Sequence, residues 1–303
     1  AVPLFAPPDE IAHVEALEPL RLTRSALFEG HALTVLQALP SESVRCVITS
    51  PPYWGLRDYG IKGQIGLEPS LPQFLNQLTR IFSEVRRVLT VDGTLWLNIG
   101  DSYTSGNRGY RAADKKNPAR AMTTRPPTPD GLKPKDLIGV PWRLAFALLD
   151  DGWFLRSDVV WNKPNAMPES VKDRPIRAHE YLFMLTKSER YLYNHDAVKE
   201  LTDDGKGRRS RRSVWNVNTK AFSGAHFATF PPELIRPCVL ASTAPGDFVL
   251  DPFFGSGTVG LVSQQEDRQY VGIELNPDYV RMAASRLLGL RSNVLRLVSN
   301  GQG

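Results

Sequence analysis

The 303-residue sequence predicts an α/β fold in which a mixed, mostly parallel sheet is flanked by helices. Short, nearly unbroken apolar runs such as Val44–Thr49 and Asp247–Asp251 have the length and character of strands buried on both faces. Glycine-rich or proline-rich turns and stretches of helical spacing follow them, the alternation that βα units require. A 42% hydrophobic content is enough to bury a full core in a chain of this length.

The strand Val44–Thr49 runs into Ser50-Pro51-Pro52-Tyr53. Two prolines stop the strand and expose carbonyl acceptors without competing N–H donors. The Ser50 side chain and the Pro51 carbonyl can each accept one hydrogen of a planar amine, with the Tyr53 ring stacked on the base that carries it. By itself, a strand ending in two prolines is an ordinary turn. Trp54 follows, as a wedge or a packing residue.

Helical spacing over Phe74–Leu89 leads to a buried strand, Gly93–Ile99. A further strand, Asp158–Trp161, ends at Asn162-Lys163-Pro164-Asn165, where Lys163 and Asn165 are polar groups at a strand end, a common place for sites. Downstream, Asp251 closes a strand that enters Pro252-Phe253-Phe254-Gly255-Ser256-Gly257-Thr258, with helix expected from Val259. Such a strand, glycine turn and helix start point backbone N–H groups at an acidic ligand group. Alone, a GxG turn is weak evidence, but Tyr270–Glu274 ends in a carboxylate 23 residues after Asp251, the layout for bonding ribose hydroxyls. Asn276-Pro277 then starts another helix. The third glycine of a dinucleotide fingerprint is missing, which weighs against a dehydrogenase.

Taken in order, SPPY, DPFFGSGT and GIELNPDY resemble the S-adenosylmethionine-dependent DNA amino-methyltransferases, in the circularly permuted beta class where the catalytic motif precedes the cofactor motif. The likeness spans nearly the whole chain and implies a Rossmann-like methyltransferase fold. It implies Ser50, Pro51, Pro52 and Tyr53 as the catalytic corner. It implies Asp251, Phe253, Phe254, Gly255, Ser256, Gly257, Thr258, Glu274 and Asn276 as cofactor-binding, with Phe253 or Phe254 facing the sulfonium. Residues 28–40 resemble the segment around the cofactor adenine, with His31 where an Asp is usual, and 226–239 the segment over its methionine end, with Phe227 and Thr229. The implied organisation is an N-terminal arm (1–24), a catalytic half (25–200), a target-recognition segment (201–225) and a cofactor-binding half (226–303). The transferred methyl would go to the exocyclic amine of a base flipped out of double-stranded DNA. A leading Ser leans the family towards N4 of cytosine over N6 of adenine. A homodimer and a cognate restriction endonuclease are further partners that such enzymes imply.

Charge supports a nucleic-acid partner. The net charge is +5, yet residues 103–135 alone carry net +6 and residues 199–220 net +4. Both stretches read as loops rich in turn-forming residues. Arg108, Arg111, Lys115 and Lys116 in the first, and Arg208, Arg209, Arg211 and Arg212 in the second, are candidates to contact phosphates or guanine edges. Two rivals stay open: an RNA or protein amine methyltransferase with a similar corner, and a non-catalytic DNA-binding module. Cys46 and Cys238 make neither a disulfide framework nor a metal cluster and are expected to be structural. No metal is expected. No apolar run approaches the roughly 20 residues that span a membrane, and the cytoplasm is the expected location.

Overall fold

The computed structural model describes residues 22–105, 110, 126–220 and 230–288. Arg108, Arg111, Lys115, Lys116, Phe227 and Thr229 lie outside the described residues, as does most of the first basic stretch.

Among the described residues, ten strands and six α-helices follow the alternation that the apolar runs predict. They are β1 (Ala26–Glu29), α1 (Ala32–Ala38), β2 (Val44–Thr49), α2 (Leu71–Val88), β3 (Leu89–Ile99), α3 (Val140–Asp150), β4 (Phe154–Asn162) and β5 (His179–Thr186). The two-residue β6 (Glu200–Leu201) and β7 (Arg208–Arg209) come next, then β8 (Val214–Asn216), α4 (Pro232–Ser242), β9 (Phe248–Asp251), α5 (Thr258–Gln265), β10 (Gln269–Glu274) and α6 (Pro277–Leu288). Eight strands form one sheet in the order β1-β10-β9-β2-β3-β5-β4-β8. Every neighbouring pair is parallel except the two that involve β5, so β5 alone runs against the rest.

Period-two side-chain alternation divides the core between the two faces of the sheet. Val44 and Val47 of β2, with Leu95, Leu97 and Ile99 of β3, pack with α1, α2 and α3 on one face. Cys46, Ile48 and Trp96 point to the other, against α4, α5 and α6. Both cysteines are free and buried, as expected of structural thiols, and burial pushes the Cys46 thiol up to about 12.

Local chemistry sets where the helices start. Ser70 caps α2 by accepting from the Gln73 N–H, and Pro72 lies in its first turn, where a missing N–H costs nothing. The last turn carries Arg87, whose guanidinium donates to the Leu36 and Leu39 carbonyls at the end of α1. Helix α3 starts at a left-handed glycine, Gly139, and has no side-chain cap of its own. Asp101, just past β3, supplies one by accepting from the N–H groups of Gly139 and Val140.

The second basic stretch is more ordered than a loop reading expects. The short β6–β7 hairpin leads into β8, which joins the main sheet beside β4. The reason is Trp215, which is buried and lies 6.1 Å from Trp96, so this segment brings its own apolar anchor into the core. Among the described residues, no helix is long and apolar enough to cross a membrane, and no group of three or more His, Cys, Asp or Glu side chains is placed to hold a metal ion.

Candidate active site

The strand order reverses direction between β9 and β2: from β9 the chain crosses through α5 to β10, and from β2 through α2 to β3. At such a switch point the connections diverge and leave a crevice at the carboxyl ends of the strands. The crevice here is a cavity of about 610 Å³, within the usual range for a small-molecule site. Its walls include Gly30 and His31 after β1, Ser50–Tyr53 after β2, Asp251–Ser256 after β9, Glu274–Asn276 after β10 and Lys163 after β4. Thr258 also lines it. Two sites read from distant parts of the sequence are thus one site.

The turn after β9 is wound by Gly255 (φ 51°) and Gly257 (φ 78°), both left-handed, a conformation that side chains with a Cβ seldom adopt. A Cβ on Gly257 would also approach Ala283 to 3.1 Å. Gly257 acts as the N-cap of α5, so it tightens the helix start without itself being part of the cavity wall.

Two carboxylates face this turn, Asp251 buried and Glu274 half-buried. Glu274 accepts the Gly255 N–H on Oε2 (2.8 Å) and the Asn276 N–H on Oε1 (2.8 Å), which leaves each oxygen a lone pair. Asp251 accepts the Thr49 hydroxyl (2.6 Å) and the Phe253 N–H (3.0 Å), both on Oδ1. Burial pushes the Asp251 carboxyl up to about 7, against the pull of those two donors and with a push from Glu274; burial also raises Glu274. A buried carboxyl held so high suits a ligand that brings positive charge and hydroxyl donors, and S-adenosylmethionine has both. The residues therefore fit the cofactor.

His31 caps α1, its Nδ1 accepting from the Leu33 N–H at 3.3 Å, and burial lowers its pKa, so a neutral imidazole lines the wall after β1. The loop after the corner closes this end of the cavity. The Gln64 side-chain amide accepts the Tyr59 N–H and donates to the Arg57 carbonyl, and the Tyr59 ring meets Tyr279 of α6 edge-on at 6.3 Å.

On the opposite wall, the Tyr53 hydroxyl donates to Glu180 Oε2 at 2.7 Å. Asn98 Nδ2 donates to the same oxygen at 3.2 Å, and Lys163 forms an ion pair with Oε1. The Lys163 ammonium also sits 4.1 Å from the centre of the Trp161 ring. Burial, reinforced by the Glu180 charge, holds the Tyr53 hydroxyl well above its ordinary pKa. Gly100 makes room for this pair: a Cβ there would come within 2.7 Å of the Tyr53 ring and 3.3 Å of Glu180.

Several expectations need correction. Trp54 is buried in the core with its indole N–H donating to the Glu68 carbonyl, so it packs and offers no wedge. Asn165 stands outside the cavity wall; its amide exchanges hydrogen bonds with the backbone of Thr219 and pins that strand extension. The Phe254 ring is committed to the core, stacked on Tyr270 and lying against Gly272, which leaves Phe253 as the aromatic candidate near a sulfonium. Arg209 and Arg212 are paired with Glu200 and Asp203, and Arg211 stacks 4.4 Å over Trp215. Of that cluster, Arg208 is exposed on the hairpin. Sequence reasoning missed Glu180, Asn98, Thr49 and Tyr59; a carboxylate heading the apolar run Tyr181–Leu185 is the signal that pointed to the first of them.

The chain is similar to known proteins over most of its length. A family model described as DNA methylase matches residues 44–285. The Type II methyltransferase M.XycI of Xanthomonas campestris pv. cyanopsidis is 73% identical over 294 residues, covering 97% of this chain and 98% of that protein. M.SmaI of Serratia marcescens is 57% identical, over 91% of this chain and 95% of its own length. Among solved structures, the PvuII DNA methyltransferase (cytosine-N4-specific) shares the fold with a TM-score of 0.67 at 22% identity, covering 91% of each chain. A putative DNA modification methylase from Thermus thermophilus, complexed with S-adenosyl-L-methionine, does so at 0.60 and 24%, over 88% of this chain and 94% of that one. The chain belongs to the DNA methylase family, enzymes that move a methyl group from S-adenosylmethionine to an amino group of a DNA base.

Proposed function

We propose that the cavity methylates the N4 amine of a cytosine flipped out of duplex DNA, with Ser50 and the Pro51 carbonyl as the acceptors of its two hydrogens. The observation that carries this reading is the junction of the Ser50–Tyr53 corner and the Asp251–Glu274 wall in one cavity across the switch point. An exocyclic amine is a poor nucleophile because its lone pair is delocalised into the ring. Two acceptors on its hydrogens favour a pyramidal nitrogen and free that pair for in-line attack. When bound, S-adenosylmethionine supplies an electrophilic methyl: the N–C bond forms as the C–S bond breaks, sulfur keeps the electron pair, and the amine releases a proton to solvent.

Asp251 and Glu274 would hold the cofactor by its hydroxyls and positive charge, together with the Gly255–Thr258 turn, and Phe253 would be the aromatic for its sulfonium. Tyr53 stacks on the flipped base in place of its lost neighbours. The leading Ser50 leans the reading towards cytosine, and the Lys163 ammonium on the same cavity wall is a donor suited to the N3 and O2 acceptors on the edge of that base. The β6–β7 hairpin serves target recognition through Arg208, in a homodimer that works beside a cognate endonuclease; the naming of the close relatives as Type II methyltransferases supports the last point.

Methyl transfer from labelled S-adenosylmethionine to unmodified duplex DNA, followed by nucleoside mass spectrometry, tests the reading. N4-methylcytosine is expected, and Ser50→Ala should keep cofactor binding but lower turnover at least about tenfold. N6-methyladenine as the product would refute the assignment of the base, and full turnover by Ser50→Ala would refute that of the corner.

A further inference from the structure

We propose that Arg286 of α6 is a positioning residue for the cofactor: it occupies the acceptor side of the Ser256 and Thr258 hydroxyls, so that both turn their hydrogens to the carboxylate of S-adenosylmethionine. The inference rests on the reading of the Asp251–Glu274 wall as the cofactor site.

Helix α6 lies against the turn after β9. Ala283 and Leu287, both buried and one helical turn apart, share its inner face. A Cβ on Gly257 would come within 3.1 Å of Ala283, and one on Gly260 within 3.2 Å of Leu287, so glycines let the helix approach both the turn and α5. Arg286, three residues on from Ala283, stands beside this face and is half-buried. Its Nη1 lies 3.0 Å from the Ser256 carbonyl, 3.2 Å from the Ser256 hydroxyl and 3.1 Å from the Thr258 hydroxyl.

A hydroxyl both donates and accepts, and its neighbours decide which way it turns. A guanidinium has donors only. Both hydroxyls therefore accept from Arg286, and the hydrogen of each must point away from it. Ser256 and Thr258 line the cavity, and Arg286 does not. The two hydrogens are thus left for an acceptor in the cavity.

The turn has few other donors to offer. The N–H groups of Phe253 and Gly255 are spent on Asp251 and Glu274, and those of Phe254 and Gly257 on the Ile273 and Phe254 carbonyls. Asp251 and Glu274 are acceptors, suited to the hydroxyls and positive charge of the ligand. Its one acidic group, the carboxylate of the amino-acid end, needs donors, and a buried hydroxyl whose hydrogen finds no partner is costly. Ser256 and Thr258, each 4% exposed, meet that carboxylate from a wall that Arg286 holds in one orientation.

Calorimetric titration of the full chain with two ligands tests this. S-adenosylhomocysteine carries the amino-acid end, and methylthioadenosine keeps the adenine, ribose and sulfur without it. Arg286→Met keeps much of the packing and removes the donors. The Kd for S-adenosylhomocysteine should rise about tenfold or more while that for methylthioadenosine stays within about twofold. Equal losses for both ligands would overturn the proposal, because Arg286 would then only support the turn, and so would no loss for either. In a Ser256→Ala/Thr258→Val background, Arg286→Met should add less than about twofold, and a further tenfold loss there would also overturn it. Should Arg286→Met not fold, the Ser256→Ala/Thr258→Val variant decides alone: it should discriminate between the ligands in the same way, and equal effects on both overturn the proposal. Glu274→Ala separates the two readings, since both ligands carry the ribose. If it weakens neither, the wall is not the cofactor site; if it weakens both while Arg286→Met does not discriminate, only the role of Arg286 falls.

Discussion

On the cofactor side of the cavity, each polar group sits in or beside a glycine turn, or at the end of the next strand: Asp251, Gly255 and Glu274 fall within 24 residues of sequence. On the target side, Tyr53 and Glu180 are 127 residues apart and meet only because β5 runs antiparallel beside β3 and so brings its first residues to the carboxyl ends of its neighbours. The cofactor wall is made largely by backbone N–H groups and two carboxylates, which local sequence can arrange. The target wall is a side-chain network of Tyr53, Asn98, Lys163 and Glu180 whose members come from four strands or strand ends. Local motifs suit a ligand that is the same throughout a family; long-range networks allow the target pocket to vary without disturbing it.

The comparison predicts that each wall can be damaged without the other. The largest expected effect is on the cofactor side. Glu274→Ala removes the proposed acceptor for the ribose and strands the N–H groups of Gly255 and Asn276, so S-adenosylmethionine affinity should fall about 100-fold, or about 3 kcal/mol. Calorimetric titration checks this, and DNA binding measured without cofactor should be unchanged. Equal losses for both ligands would mean that the two walls are one cooperative unit.

On the target side, Gly100→Ala forces the Tyr53 ring away from Glu180. Turnover should drop about tenfold or more while cofactor affinity is kept. Loss of cofactor affinity in this variant would break the separation from the other direction.

Asp251 sharpens the comparison through pH. Its carboxyl titrates near 7 in the folded protein, against about 4 when unfolded. Between those values the folded chain holds more protons, so without cofactor its stability should decline as pH rises from about 4 to 7. Cofactor binding has the opposite sign: a positively charged ligand needs the carboxylate, so affinity should weaken by up to about tenfold per pH unit below 7 and level off above it. Asp251→Asn can still accept from Thr49 and Phe253 on one oxygen, and should flatten both profiles; melting curves and calorimetry from pH 5.5 to 8 read them out. The target side carries no equivalent, and Ser50→Ala should retain both slopes.

The same contrast explains what was legible in the sequence. Buried parallel strands declare themselves as apolar runs, and Ser50, Asp251, Gly255 and Glu274 sit at their ends, so the strands and most of the candidate cofactor wall could be read locally, whereas the strand order that makes the switch point could not. Glu180 heads a strand whose antiparallel placement no local pattern encodes. Trp54 read as either a wedge or a packing residue, because an aromatic after such a corner has two uses; only its neighbours in space, down to the Glu68 carbonyl, select packing. The arginines of 208–212 read as one cluster, yet Glu200 and Asp203 lie near enough in the hairpin to claim two of them.

That last division gives the smallest predicted effect. Arg209 is about 29% exposed, bonds both Glu200 and Asp203, and joins the two strands of the hairpin, whereas Arg208 is exposed on it. A lone exposed arginine that meets a phosphate contributes about one unit to the salt slope of DNA binding. Arg208→Ala should therefore weaken duplex binding by a few fold and flatten that slope by about one unit, with little change in thermal midpoint. Arg209→Ala should leave the slope nearly unchanged, because its charge is already matched within the protein, and should instead loosen the hairpin slightly, as expected for an exposed ion pair. A slope change of one unit in Arg209→Ala and none in Arg208→Ala would reverse the assignment, placing Arg209 on the DNA and making its ion pairs the resting arrangement that DNA displaces.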